Sequence, residues 1–191
     1  MKTISVDLYT INEVNTNNPK LYKKIIGKNF DINIDHDWSE WAIDYFTHEL
    51  EAIGFSNVKI EFSGFYSQGD GARFTGNWLY SPCWKHKLQE KKFQPLAELL
   101  EAVNEIYKEF SFSITASRSN YYHEKTTGFT FEGDEVPTQE ETAIEEACRD
   151  AMRHIYRTLE KEYEYLSSEE AIFKTLEANE YYFDPEGNIR N

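Results

Sequence analysis

The sequence predicts an α+β domain, an antiparallel sheet with helices packed mainly on one face. Three observations lead there. Apolar residues recur at helical spacing in three long segments, and elsewhere they alternate with polar ones over short segments. The alternating segments also follow one another across short loops, which suits antiparallel neighbours and not parallel crossovers.

The elements follow in chain order. Thr3 to Thr10, with Ile4, Val6, Leu8 and Tyr9, reads as a first strand. Asn15-Thr16-Asn17-Asn18-Pro19 is a turn cluster, and Pro19 opens a short helix through Ile26, stopped by Gly27. Ser39 to Ile53 is a helix: Trp38, Trp41, Ala42, Tyr45, Phe46, Leu50 and Ile53 share its apolar stripe. Asp37 or Ser39 can cap it, and Gly54 ends it. Asn57 to Phe62 alternates as a half-buried strand, and Arg73 to Tyr80 is its return strand.

Pro95 to Phe110 is a second helix, with Leu96, Leu99, Leu100, Val103, Ile106 and Tyr107 on one face. Ser111 to Ser117 and Thr126 to Glu132 are strands joined by a loop carrying Asn120, Tyr121, Tyr122 and His123. A long helix opens at Pro137, with a Thr138/Glu141 capping box, and runs to about Tyr163. Ser167 and Glu170 repeat the box before a short last helix, and Tyr181 to Phe183 forms a terminal strand ended by Asp184-Pro185-Glu186-Gly187.

The 191 residues suit a single domain, 1–191, with an acidic helical part from Pro137 onward. Aromatics are 16% of the chain, a composition for a packed core and not for disorder. Cys83 and Cys148 lie far apart and form no CxxC pair, so neither a zinc site nor a disulfide framework is expected. The start of the chain lacks the apolar run of a signal peptide, and no apolar run approaches membrane-spanning length. These features predict a cytoplasmic protein with reduced thiols and no membrane contact.

The net charge is −14, and it is uneven. From Glu132 to Asn191 there are 17 acidic and 6 basic residues, and before Glu132 there are 17 and 14. Such a field repels nucleic acid, so direct nucleic-acid binding is not expected, and it favours a basic partner.

The most unusual segment is Ser63-Gly64-Phe65-Tyr66-Ser67-Gln68-Gly69-Asp70-Gly71-Ala72-Arg73-Phe74-Thr75-Gly76, which holds four of the nine glycines. Two readings stand. In one, it is a bulged β-hairpin with Asp70-Gly71 as turn chemistry and Phe65 packing across the strands on Phe74. In the other, the Gly69–Gly71 turn presents backbone N–H groups to a ligand or partner, with Arg73 supplying charge. The segment is neither a phosphate loop nor a dinucleotide fingerprint, because Gly69 is followed by Asp70 and no third glycine opens a helix.

Other candidates are weaker. Asp35-His36-Asp37 suits helix capping better than a metal site, and His48, His86, His123 and His154 are isolated. Tyr121-Tyr122-His123-Glu124-Lys125 is a polar-aromatic loop, either a hairpin tip or an interaction surface. No nucleophile elbow, HExxH or EF-hand loop occurs, so no catalytic residue, metal or cofactor is expected. The acidic run Glu160 to Glu170 reads as a solvated helix face, with a DNA-mimicking surface as the alternative.

Three blocks carry a resemblance. Ile60-Glu61-Phe62-Ser63-Gly64-Phe65-Tyr66-Ser67-Gln68-Gly69-Asp70-Gly71-Ala72 resembles a motif in a family of small phage-encoded proteins often labelled "antitoxin of toxin–antitoxin stability system". Glu162 to Ala171 with Glu177-Ala178-Asn179-Glu180-Tyr181 resembles their tail, and the aromatic helix around Trp38 to Gly54 takes the matching place before the motif. The resemblance implies a non-enzymatic phage-type accessory protein that binds and neutralises or regulates a host protein, as an antitoxin or counter-defence factor would. It brings no catalytic residues. The expected contact residues are Tyr66, Gln68, Asp70 and Arg73, then Tyr121 and Tyr122. The rival is a small-molecule or nucleotide-binding protein, or a weak hydrolase, with phosphate on the Gly69–Gly71 turn and Arg73.

Overall fold

The computed structural model describes residues 7–34, 37–80, 90–117 and 121–190. Half of the expected first strand (residues 3–6), Asp35, His36, Cys83, His86 and Asn120 lie outside these residues. The fold is α+β with antiparallel sheets, as the sequence predicts. The chain divides into two compact units, residues 39–160 and residues 1–38 with 161–191.

The larger unit contains helix α3 (Glu40–Ala52), strands β2 (Phe55–Phe62) and β3 (Ala72–Leu79), helix α4 (Gln94–Ile106), strands β4 (Ser111–Ala116) and β5 (Thr127–Glu132), and helix α5 (Thr138–Leu166) up to Glu160. The four strands form an antiparallel meander in the order β2-β3-β4-β5. Alternation sends Ile60, Phe74, Trp78, Phe112 and Ile114 to the buried face. Aromatic rings pack there: Phe55 meets Phe74 edge-on at 5.3 Å and Trp78 lies tilted against Phe110 at 4.8 Å, centroid to centroid. The helices bury matching stripes, including Phe46 and Leu50 of α3, Leu100 of α4, and Ile144, Met152 and Ile155 of α5.

Two helix boundaries in this unit differ from expectation. α4 ends at Ile106, because Phe110 leaves the helix to be buried against Trp78, and Ile106 itself is 72% exposed. The Thr138/Glu141 box is replaced: Thr138 is the first helical residue, and the N–H of Glu141 donates to the Pro137 carbonyl. Gly54 does end α3, with φ of 99°.

The smaller unit contains β1 (Tyr9–Thr10), α1 (Ile11–Asn17), α2 (Pro19–Lys28), α6 (Glu169–Ala178), β6 (Tyr182–Phe183) and β7 (Ile189–Arg190). Its sheet runs in the order β1-β6-β7, over a core of Ile11, Val14, Ile25, Ile172, Leu176 and Phe183. α1 was not expected. Thr10 and Glu13 form a reciprocal capping box inside what reads as the end of a strand. Gly27 does not stop α2, which continues to Lys28 while Asn29 Nδ2 donates back to the Ile25 carbonyl. The cap of α6 is Ser168 and not Ser167, whose hydroxyl donates to the Tyr163 carbonyl.

Candidate binding surface

The glycine-rich segment is the tip of the β2–β3 hairpin. Phe62 pairs with Ala72 across the strands, and the N–H of Ser63 donates to the Gly71 carbonyl. Phe65 does not reach Phe74. It stacks instead on Phe62 at 5.9 Å and on Tyr156 of α5 at 5.5 Å, and the Tyr156 hydroxyl donates to the Gly64 carbonyl. An alternation argument cannot see this, because Phe65 lies in the turn and not on a strand.

Asp70 organises the turn. One carboxylate oxygen, Oδ2, accepts the N–H groups of Tyr66 at 3.0 Å and Ser67 at 2.6 Å. This is the local aspartate chemistry that competes with regular structure and fixes turns. Gly69, at φ of 99°, supplies the left-handed step that an L side chain resists.

The structure brings this turn and the Tyr121–Lys125 loop together. A methyl on Gly71 would collide with the His123 side chain and come within 2.8 Å of its Cα. A methyl on Gly69 would lie 2.8 Å from the Tyr121 ring. Both glycines are therefore required for close approach, and Gly69 for turning as well. All six candidate residues fall in this region, and they divide into two groups by exposure.

Arg73 belongs to the interior. It is 4% exposed, and its Nε and Nη2 donate to Glu61 Oε2 at 3.1 and 2.9 Å. Its Nη1 donates to the Tyr121 carbonyl at 3.3 Å and to Thr126 Oγ1 at 3.1 Å. The guanidinium also lies over the Tyr122 ring, 4.7 Å from its centroid. The hydrogen bond from Lys59, and then those from Arg73, hold the Glu61 carboxyl below its ordinary value. Arg73 thus meets a carboxylate of its own chain where the nucleotide reading places a phosphate. Sequence reasoning missed Glu61 and Thr126. A signal for Glu61 was present, since a hairpin through this segment sets Glu61 directly opposite Arg73.

Tyr66 and Tyr121 belong to the surface, at 77% and 55% exposure, and Gln68 is exposed beside them. Tyr122 is half-buried under Arg73. Between the turn and α5 runs a cleft of about 260 Å³ lined by Asp70, Gly71, Glu124, Arg153, Tyr156 and Arg157. Burial, then the nearby negative charge of Glu160 and Asp70, raises the Tyr156 hydroxyl above its ordinary pKa.

The remaining candidates have ordinary roles. His48 Nδ1 contacts the Asp44 carbonyl at 2.7 Å, and His123 Nδ1 accepts from the N–H of Lys125. His154 packs edge-on against Phe46 and Phe93. Cys148 is fully buried, and burial pushes its thiol up, which makes it unreactive. Among the described residues, no group of three or more His, Cys, Asp and Glu side chains comes together to hold a metal, and no helix is long and apolar enough to cross a membrane.

Fold and site together define an α+β protein that presents tyrosines from a braced hairpin tip. The family described as a domain of unknown function, DUF8835, matches residues 38–169, and the chain belongs to it. No curated protein and no solved structure matches the chain.

Proposed function

We propose that this chain is a non-enzymatic accessory protein that binds another protein through its hairpin tip and so neutralises or regulates it. The observation that carries the reading is the pair of exposed tyrosines, Tyr66 and Tyr121, on a frame braced from within by Asp70 and Arg73. Exposed tyrosines on a rigid frame bind at low entropic cost, since each ring offers large contact area and a polar tip with few rotors.

Gln68 adds a polar contact at the rim. The surplus of acid after Glu132 favours a partner with a basic surface and works against direct nucleic-acid binding. The resemblance to phage-encoded antitoxin-like proteins supports a host protein in the cytoplasm as the partner, in an antitoxin-like or counter-defence role.

The test is capture from a bacterial lysate at moderate salt, with the whole chain as bait and its Tyr66→Ala/Tyr121→Ala variant as control. A protein retained in stoichiometric amount by the first and lost by the second is the expected result. Failure of the natural chain to retain any such protein, or equal retention by both, contradicts the reading.

A further inference from the structure

We propose that a second concavity, between the start of α4 and the adjoining face of α5, binds a small phosphate monoester through Arg157, Lys92 and Arg153. This cleft has a volume of about 290 Å³, and its lining includes Lys92, Arg153, Arg157, His154, Pro95 and Leu96. That volume is near the lower end of small-molecule sites.

The argument rests first on charge. The chain carries 34 acidic residues, and nearly every described arginine is matched to one of them. Arg73 holds Glu61, Arg149 holds Glu145, Arg153 holds Asp150, and Arg190 holds Asp184. Among the described residues, Arg157 is the arginine with no carboxylate partner, and its side chain is exposed at the cleft. It stands one turn from Arg153 on the same face of α5, an arrangement that repels within the helix unless an anion bridges it.

Lys92 approaches from the opposite wall, so three cations face one lining carboxylate, Asp150, which Arg153 already engages at 2.6 Å. Arg153 is held further by Glu146 at 2.5 Å and lies 3.7 Å from Glu124, and Glu90 lies 3.3 Å from His154 Nε2, so Arg157 and Lys92 supply the uncommitted charge. A guanidinium that lacks a carboxylate offers its planar fork to a phosphate. Pro95, Leu96 and Ala147 supply an apolar wall for a small organic group on the ester. Sequence reasoning placed an anion on Arg73. The structure commits Arg73 internally and leaves Arg157 available.

Calorimetric titration at constant ionic strength tests this with three probes: phenyl phosphate, inorganic phosphate and benzoate. Saturable binding is expected for both phosphates, tighter for the ester, and weakest for benzoate. Arg157→Gln should weaken phenyl phosphate binding on the order of tenfold or more, as loss of a charge-assisted contact implies, and Lys92→Gln by less. Both side chains are exposed, so both variants should melt as the natural chain does. Tyr66→Ala/Tyr121→Ala should bind phenyl phosphate unchanged, since neither tyrosine lines this cleft. No saturable phosphate binding, equal binding by Arg157→Gln, or benzoate binding as tightly as phenyl phosphate would each overturn the proposal.

Discussion

Two turns in this protein are built around an aspartate, and they end differently. In the smaller unit, Asp184 is 1% exposed. Its Oδ1 accepts the N–H groups of Glu186 and Asn188, and its Oδ2 accepts from the Asn188 amide and the Arg190 guanidinium. Gly187, at φ of 77°, packs against Leu21 and Ile25. In the larger unit, Asp70 also collects two backbone N–H groups, and a nearby arginine is again held by a carboxylate. There the turn leaves Tyr66 at 77% exposure with Tyr121 beside it. The same local chemistry packs the glycine of one turn on its own core and leaves Tyr66 of the other exposed. An aspartate-glycine turn alone therefore does not reveal a binding loop.

The comparison can be broken at its interior. Arg73→Met removes four hydrogen bonds and leaves Glu61 without its guanidinium. It should cost about 3 kcal/mol, in line with breaking one side of a buried pair. Chemical denaturation measures the loss, and capture should fall with it because the Tyr121 loop is released. Gly71→Ala should cost about 1–3 kcal/mol, since the added methyl meets His123 backbone and overpacks the junction.

The Asp184 turn predicts the opposite pattern. Asp184→Asn should lower the melting temperature and leave capture intact, because its hydrogen bonds run to Glu186, Asn188 and Arg190 of its own turn. Its carboxyl is held below the ordinary aspartate value by the Asn188 backbone N–H, then by the Asn188 side chain and Arg190. The unfolded chain therefore binds the proton more readily than the folded one. The stabilisation is fully present above the ordinary aspartate pKa of about 4 and fades as the pH falls below it. Acid titration followed by circular dichroism should show Asp184→Asn losing less stability over that range than the natural chain.

Sequence reading went furthest where local chemistry decides the outcome. The stripes through Phe46 and Leu50, through Leu96 to Val103, and through Ile144 to Leu159 locate α3, α4 and α5, and alternation through Val58 to Phe62 and Phe112 to Ala116 locates β2 and β4. It stopped short where tertiary packing decides. Gly27 continues a helix because Tyr22 and Ile25 are buried on either side of the preceding turn, and Phe110 ends α4 because Trp78 receives it. Likewise, the surface was legible as a set of residues and not as an arrangement. Asp70-Gly71 announces the turn, but only the fold shows that Arg73 lies inside it and that Tyr121 closes over Gly69. Arg157 gave no signal, because a lone arginine on a charged helix face differs from Arg149 and Arg153 only in its partners.

The central claim is that the exposed rings of Tyr66 and Tyr121 bind a partner. One paired measurement on Tyr66→Ala/Tyr121→Ala addresses it: melting temperature and retention of the captured protein. The account predicts a variant that still folds cooperatively and loses the captured protein. A variant that melts normally and still retains the partner would contradict it.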